Sequence, residues 1–112
     1  MSFFSRPPAA PVLAPSDFVA QRAPEAPVLD VRTPEEFAEG HLAGAVNVDV
    51  FAPDFAQQVQ AMDLPTEEPV YLYCRSGQRS GSAAGILQSM GLTGAVNVGG
   101  FDALVRAGAE PA

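Results

Sequence analysis

The sequence has no lysine, one cysteine and one histidine, and each scarcity removes a class of chemistry. A lone cysteine excludes an internal disulfide, and with a lone histidine it cannot build a closed zinc site of the cysteine–histidine kind. Any chemistry at Cys74 is therefore that of a thiol. All six cationic side chains are arginines, set against thirteen acids for a formal charge of −7. Such a field repels nucleic acid and anionic membranes unless positive charge is locally concentrated, so neither is an expected partner. Long apolar runs are also missing at the start. Met1 to Ala14 carries one arginine and is broken by Pro7, Pro8 and Pro11, which leaves no core for a signal peptide or a membrane span. A cytoplasmic location is the resulting expectation.

What the chain does have is apolar material, 47% of 112 residues, enough for one buried core. The expected organisation is one domain over residues 1–112, with an extended N-terminal segment over about 1–10 and a loose tail over about 108–112. Short runs rich in valine, leucine and tyrosine alternate with stretches of helical spacing, the pattern of a parallel sheet with crossover helices, an α/β fold. The strand candidates are Pro11 to Ala14, Val28 to Val31, Ala45 to Val48, Val70 to Tyr73 and Ala95 to Val98, all but the first expected to be buried.

Thr33-Pro34-Glu35-Glu36 announces a helix, with Thr33 as cap, Pro34 in the first turn and Glu36 bonding back as a capping box. Pro53 is expected to open another, whose one face carries Phe51, Phe55, Val59 and Met62. From Arg79 to Met90 the set Ala83, Ile86, Leu87 and Met90 follows helical spacing. Gly81 and Gly85 share a face of that helix, which suggests close backbone packing there. Gly91 and Gly108 read as left-handed terminators, the second after a helix from about Phe101 to Ala107. Leu42-Ala43-Gly44-Ala45-Val46-Asn47-Val48 returns nearly unchanged as Leu92-Thr93-Gly94-Ala95-Val96-Asn97-Val98, which we read as two strand entries using one kind of glycine turn.

The informative stretch runs from Val70 to Ser80: a buried strand, a six-residue loop from Cys74 to Arg79, then a helix. Open α/β sheets bind ligands at this end of their strands. Cys74 there faces a turn whose N–H groups can point inward as a nest, in front of the positive end of the next helix. This cradle, with Arg75 and Arg79 beside it, favours thiolate over thiol and would hold the outer sulfur of a persulfide, Cys–S–S⁻. Gly77 is assigned a positive φ that closes the loop. The catalytic candidate is Cys74, and the anion-binding candidates are Arg75, Ser76, Gly77, Gln78, Arg79 and Ser80.

At these residues the sequence resembles the rhodanese family, whose active loop runs Cys-Arg-Ser-Gly-x-Arg-Ser, here Cys74 to Ser80. The resemblance extends to Leu29–Phe37, to Gly40–Ala45 followed by Asn47, and to Asn97-Val98-Gly99-Gly100. It implies a five-stranded parallel sheet with helices on both faces, a sulfane donor such as thiosulfate, a persulfide on Cys74, and transfer to cyanide, a thiol or an acceptor protein. No metal or organic cofactor is implied. By the same resemblance Asp30 and Arg32 position the loop or the mouth of the site, and His41 belongs to a structural turn. The chain departs from the family in having no tryptophan after the double glycine, where Leu104 stands, and in Ala43, where proline is common.

Two other readings share these residues. A phosphatase or arsenate reductase of related architecture uses Cys-x5-Arg, whereas four residues separate Cys74 from Arg79 here, a tighter cradle sized for sulfur. A persulfide carrier or redox-regulatory module would use the same intermediate without turnover.

Overall fold

The computed structural model describes residues 10–112. The extended segment expected over 1–10 therefore lies, apart from Ala10, outside the described residues. Four parallel strands form the sheet: β1 (Val28–Asp30), β2 (Val46–Asn47), β3 (Val70–Cys74) and β4 (Ala95–Gly100), in the spatial order β2-β1-β3-β4. Helices α1 (Pro15–Gln21), α2 (Pro34–Glu39), α3 (Phe55–Ala61), α4 (Gln78–Ser89) and α5 (Phe101–Arg106) accompany them among the described residues.

The central strand β3 is buried along its whole length, and its side chains divide by the period of two that a strand imposes. Val70, Leu72 and Cys74 join one core with Phe55 and Val59 of α3 and Ala83 and Leu87 of α4. Tyr71 and Tyr73 join the other core, with Phe18 of α1 and Leu104 of α5. Each fully buried leucine or valine contributes about 1.5–3 kcal/mol, so the two cores together hold the helices on both faces. The same alternation delivers the Cys74 side chain to the α4 face.

The expected fifth strand at Pro11 to Ala14 shrinks to one parallel bridge between Val12 and Asn97, supported by Leu13 N–H to Asn97 O and Asn97 N–H to Pro11 O. Pro11 has no N–H to donate and Pro15 already opens α1, so too few residues remain for a ladder. The sheet is thus four-stranded rather than five-stranded. Edge strand β2 is also less covered than expected, with Val46 49% exposed.

The capping box at α2 forms, Thr33 Oγ1 accepting from Glu36 N–H while Glu36 accepts from Thr33 N–H. Helix α3 begins only at Phe55, so Phe51 falls in the preceding turn and is exposed, off the apolar face assigned to it. Of the two helix glycines, Gly81 is close-packed, a Cβ there lying 3.3 Å from Asn97 Nδ2, whereas Gly85 has nothing within 4 Å. The repeated heptads do make the same turn, Ala45 N–H to Leu42 O and Ala95 N–H to Leu92 O. Their glycines serve different needs: Gly44 has φ +82°, while a Cβ on Gly94 would strike the Glu68 carbonyl. The C-terminal tail, expected to be loose, is tied down by Ala43 N–H to Glu110 O and Ala112 N–H to His41 O. Among the described residues no helix is long and apolar enough to cross a membrane.

Candidate active site

Cys74 ends β3, and helix α4 starts at Gln78, earlier than expected, so Gln78, Arg79 and Ser80 form its first turn and Arg75–Gly77 make the loop proper. Gly77 caps the helix with φ +95°, a left-handed value that a side chain with a Cβ seldom adopts. This turn aims three donors at one sulfur. Cys74 Sγ accepts from Gly77 N–H at 3.0 Å, from Ser80 N–H at 3.3 Å and from the Ser80 hydroxyl at 3.3 Å. The residue is 1% exposed. Burial pushes the thiol pKa up, but the Ser80 hydroxyl and the amides of Ser80, Ser76 and Gly77 together outweigh it and hold the thiol below its ordinary value.

The loop is braced from behind by the end of β4. Asn97 Nδ2 donates to Gly77 O at 2.9 Å, while its Oδ1 accepts from Gly99 N–H at 3.0 Å and from Ser80 Oγ at 2.7 Å. Gly100 lies so close under the loop that a Cβ would meet the Arg75 carbonyl and come within 3.1 Å of Ser76 Cα. The sequence offers Asn97 as a strand and motif residue, not as a contact of the cysteine loop. Its position just before Gly-Gly at a strand end was the available signal for a loop contact.

The two loop arginines differ. Arg75 is three-quarters exposed, its Nε 3.9 Å from Glu36 Oε2. Arg79 instead gives Nη1 to Glu36 Oε1 at 2.7 Å and Nη2 to Oε2 at 3.0 Å, so its charge is paired rather than free for an anion. Arg79 holds the Glu36 carboxyl down at about 2, with help from Thr33 and against the effect of burial. The sequence marked Glu36 only as a capping residue. The side chains of Ser76 and Gln78 face solvent, and Ser76 addresses the sulfur through its amide.

Asp30 and Arg32 form a buried pair beside the loop. Arg32 Nη2 donates to Asp30 Oδ2 at 2.7 Å and to Gly40 O at 2.6 Å, and the Tyr73 hydroxyl donates to Asp30 Oδ2 at 2.7 Å. Burial and the neighbouring carboxylate push the tyrosine hydroxyl pKa up, so it stays a donor. Arg32, Glu36, Glu39, Arg75, Phe101 and Asp102 line a cleft of about 210 Å³. His41 stacks on Phe37 at 3.7 Å, with Nδ1 2.9 Å from Phe37 O, in the turn after α2.

Residues 15–107 match the family model described as Rhodanese-like domain. Protein YqhL of Bacillus subtilis is 41% identical over 78 residues, which span 69% of this chain and 59% of that one. Thiosulfate sulfurtransferase 16, chloroplastic, of Arabidopsis thaliana is 39% identical over 90 residues, covering 71% of this chain and 74% of that one. Among solved structures, the rhodanese-like domain of Alr3790 from Anabaena superposes with a TM-score of 0.76 at 20% identity, over 91% of this chain and 78% of that one, and shows the fold.

Proposed function

Because the chain belongs to the rhodanese-like domain family, we propose that it is a sulfurtransferase, carrying sulfane sulfur from thiosulfate or a related donor to a thiol or cyanide through a persulfide on Cys74. The observation that carries this reading is the set of donors converging on Cys74 Sγ from Gly77 and Ser80. They favour the thiolate that attacks and offset the negative charge of the persulfide that results. The thiolate attacks the outer sulfur of thiosulfate, the S–S bond breaks and sulfite leaves with its electron pair. A second nucleophile then removes the bound sulfur, in a ping-pong cycle. The cytoplasm is the compartment that suits a lone reduced thiol.

Mass spectrometry after thiosulfate treatment should show one added sulfur on Cys74, absent from Cys74→Ser of unchanged fold. A correctly folded wild-type protein that gains no sulfur from any sulfane donor sinks the reading. Phosphate-ester hydrolysis is disfavoured by Arg79, the arginine that would hold a phosphate, because Glu36 already occupies its guanidinium. Robust turnover of p-nitrophenyl phosphate would reverse that judgement.

A further inference from the structure

Two arginines flank the thiol, and only one of them is available to an incoming anion. Arg79 engages both carboxylate oxygens of Glu36, each side chain about a fifth exposed (22% and 20%). The acid is fixed from its other side by Thr33, whose N–H and Oγ1 both reach Glu36 Oε1 at 3.1 Å. Arg32 is consumed by Asp30. Arg75, three-quarters exposed and only 3.9 Å from the same carboxylate, is thus the least engaged cation at the cleft among the described residues, and it shares that cleft with Glu36, Glu39 and Asp102. Asp49 adds a further negative charge acting on Arg79, and Arg79 in turn lies within electrostatic reach of Cys74.

A dianion approaching the loop past Arg75 and Glu36 meets more negative than positive charge. We propose that Glu36 is a specificity-determining residue which, by occupying Arg79, makes the site discriminate against doubly charged sulfane donors such as thiosulfate and favour singly charged organic persulfides. The inference rests on the sulfurtransferase reading and names the donor class within it. A singly charged persulfide takes up one proton on binding, and the favoured step then balances as R–S–SH plus Cys74–S⁻ giving Cys74–S–S⁻ plus R–SH. The bond from the Cys74 thiolate to the outer sulfur forms, the donor's S–S bond breaks, and the persulfide proton ends on the leaving R–SH. Such a donor brings one negative charge past Glu36, whereas thiosulfate must bring two.

Glu36→Gln separates the two roles of this side chain. The amide oxygen can still accept from Thr33 and keep the capping box, while the charge that holds Arg79 is gone. The measurement is the second-order rate constant for loading sulfur onto the sole cysteine, from thiosulfate and from the persulfide of mercaptoethanol, at low ionic strength. Glu36→Gln should raise the thiosulfate-to-persulfide ratio about fivefold or more, and added salt should shrink that gain. Glu35→Gln, with the same change of charge on the same helix but no arginine contact, should move the ratio less than about twofold. A ratio that stays within about twofold in Glu36→Gln overturns the proposal.

Alkylation of Cys74 by anionic iodoacetate and neutral iodoacetamide gives a second measure that needs no sulfur transfer. Their rate ratio should rise about threefold in Glu36→Gln, and an unchanged ratio counts against charge selection at Glu36. Rising alkylation ratios without sulfur loading from either donor would instead remove the sulfurtransferase reading, and with it the assignment of donor class.

Discussion

The hydroxyl of Ser80 reaches Cys74 Sγ at 3.3 Å from the first turn of α4 while lying 2.7 Å from Asn97 Oδ1. One hydroxyl proton therefore faces two acceptors. When Cys74 is a thiolate the proton is best placed on the sulfur side, because a hydrogen bond to a charged acceptor is worth more than one to a neutral amide. Asn97 Oδ1 still keeps the Gly99 N–H in that state. Ser80→Ala should accordingly raise the apparent pKa of Cys74 and slow its alkylation at neutral pH about tenfold. An ultraviolet titration of the thiolate checks the first and the alkylation rate the second. An unmoved titration would show that the hydroxyl serves Asn97 alone.

Gly100 and Gly85 make a paired prediction. Gly100 has an ordinary φ of −107°, yet a Cβ there would run into the Arg75 carbonyl, so the obstacle is contact with backbone and not conformation. Gly100→Ala should displace the loop, destabilise the fold by about 1–3 kcal/mol and reduce sulfur loading at least tenfold. Gly85→Ala, inside α4 with nothing within 4 Å, should instead stabilise by about 0.5–1 kcal/mol and leave loading alone. Urea unfolding together with single-turnover loading distinguishes the two.

These glycines also mark where the sequence was legible. The uniformly apolar run at β3, the cap at Thr33 and the left-handed turn at Gly77 are local matters of propensity and φ, and each could be read from a few neighbouring residues. Gly81 and Gly85 looked equivalent on a helix face, but only the approach of Asn97 from β4 distinguishes them. Glu36 was legible as a cap because Thr33 is three residues away. Its hold on Arg79 spans 43 residues and depends on α2 and α4 meeting beside the loop. The same limit hid Asn97, whose contacts with Gly77 and Ser80 cross 20 and 17 residues. The fifth strand failed for the opposite reason, local backbone chemistry at Pro11 and Pro15 cutting short a run whose composition suited a sheet.

Asp30 is fully buried and accepts from Arg32 N–H, from Arg32 Nε and Nη2, and from the Tyr73 hydroxyl, whose oxygen in turn accepts from Leu42 N–H at 2.9 Å. Removing the carboxylate leaves a guanidinium largely out of water without the one carboxylate bonded to it. Asp30→Ala should therefore destabilise by about 3–5 kcal/mol, as broken buried pairs do. Tyr73→Phe removes one hydrogen bond to that carboxylate and leaves the Leu42 N–H without its acceptor, and should cost about 1.5–3 kcal/mol. The double variant should lose less than the sum, since both changes remove the same Tyr73–Asp30 hydrogen bond. Denaturant midpoints for the three proteins test this, and a loss below about 1 kcal/mol for Asp30→Ala would mean that Arg32 finds water or another partner.

The ion pair at the cleft gives the fold an acid limit of its own. Arg79, and then Thr33, pull the Glu36 carboxyl from 4.5 to about 2 in the folded protein despite its partial burial. Between those values the unfolded chain binds a proton that the folded one refuses, so lowering the pH favours unfolding. The stabilisation from this group is complete above about pH 4.5 and is lost as the pH falls through about 2. Allowing for solvent screening of a pair that is not fully buried, its size is about 2 kcal/mol. Urea unfolding at a series of pH values should show this increment disappearing in the wild-type protein. In Glu36→Gln the curve should lack it, because the amide has no proton to gain. If both proteins lose stability in parallel over that range, the acid sensitivity arises from other carboxylates and the Glu36–Arg79 contact contributes little to holding α2 against α4.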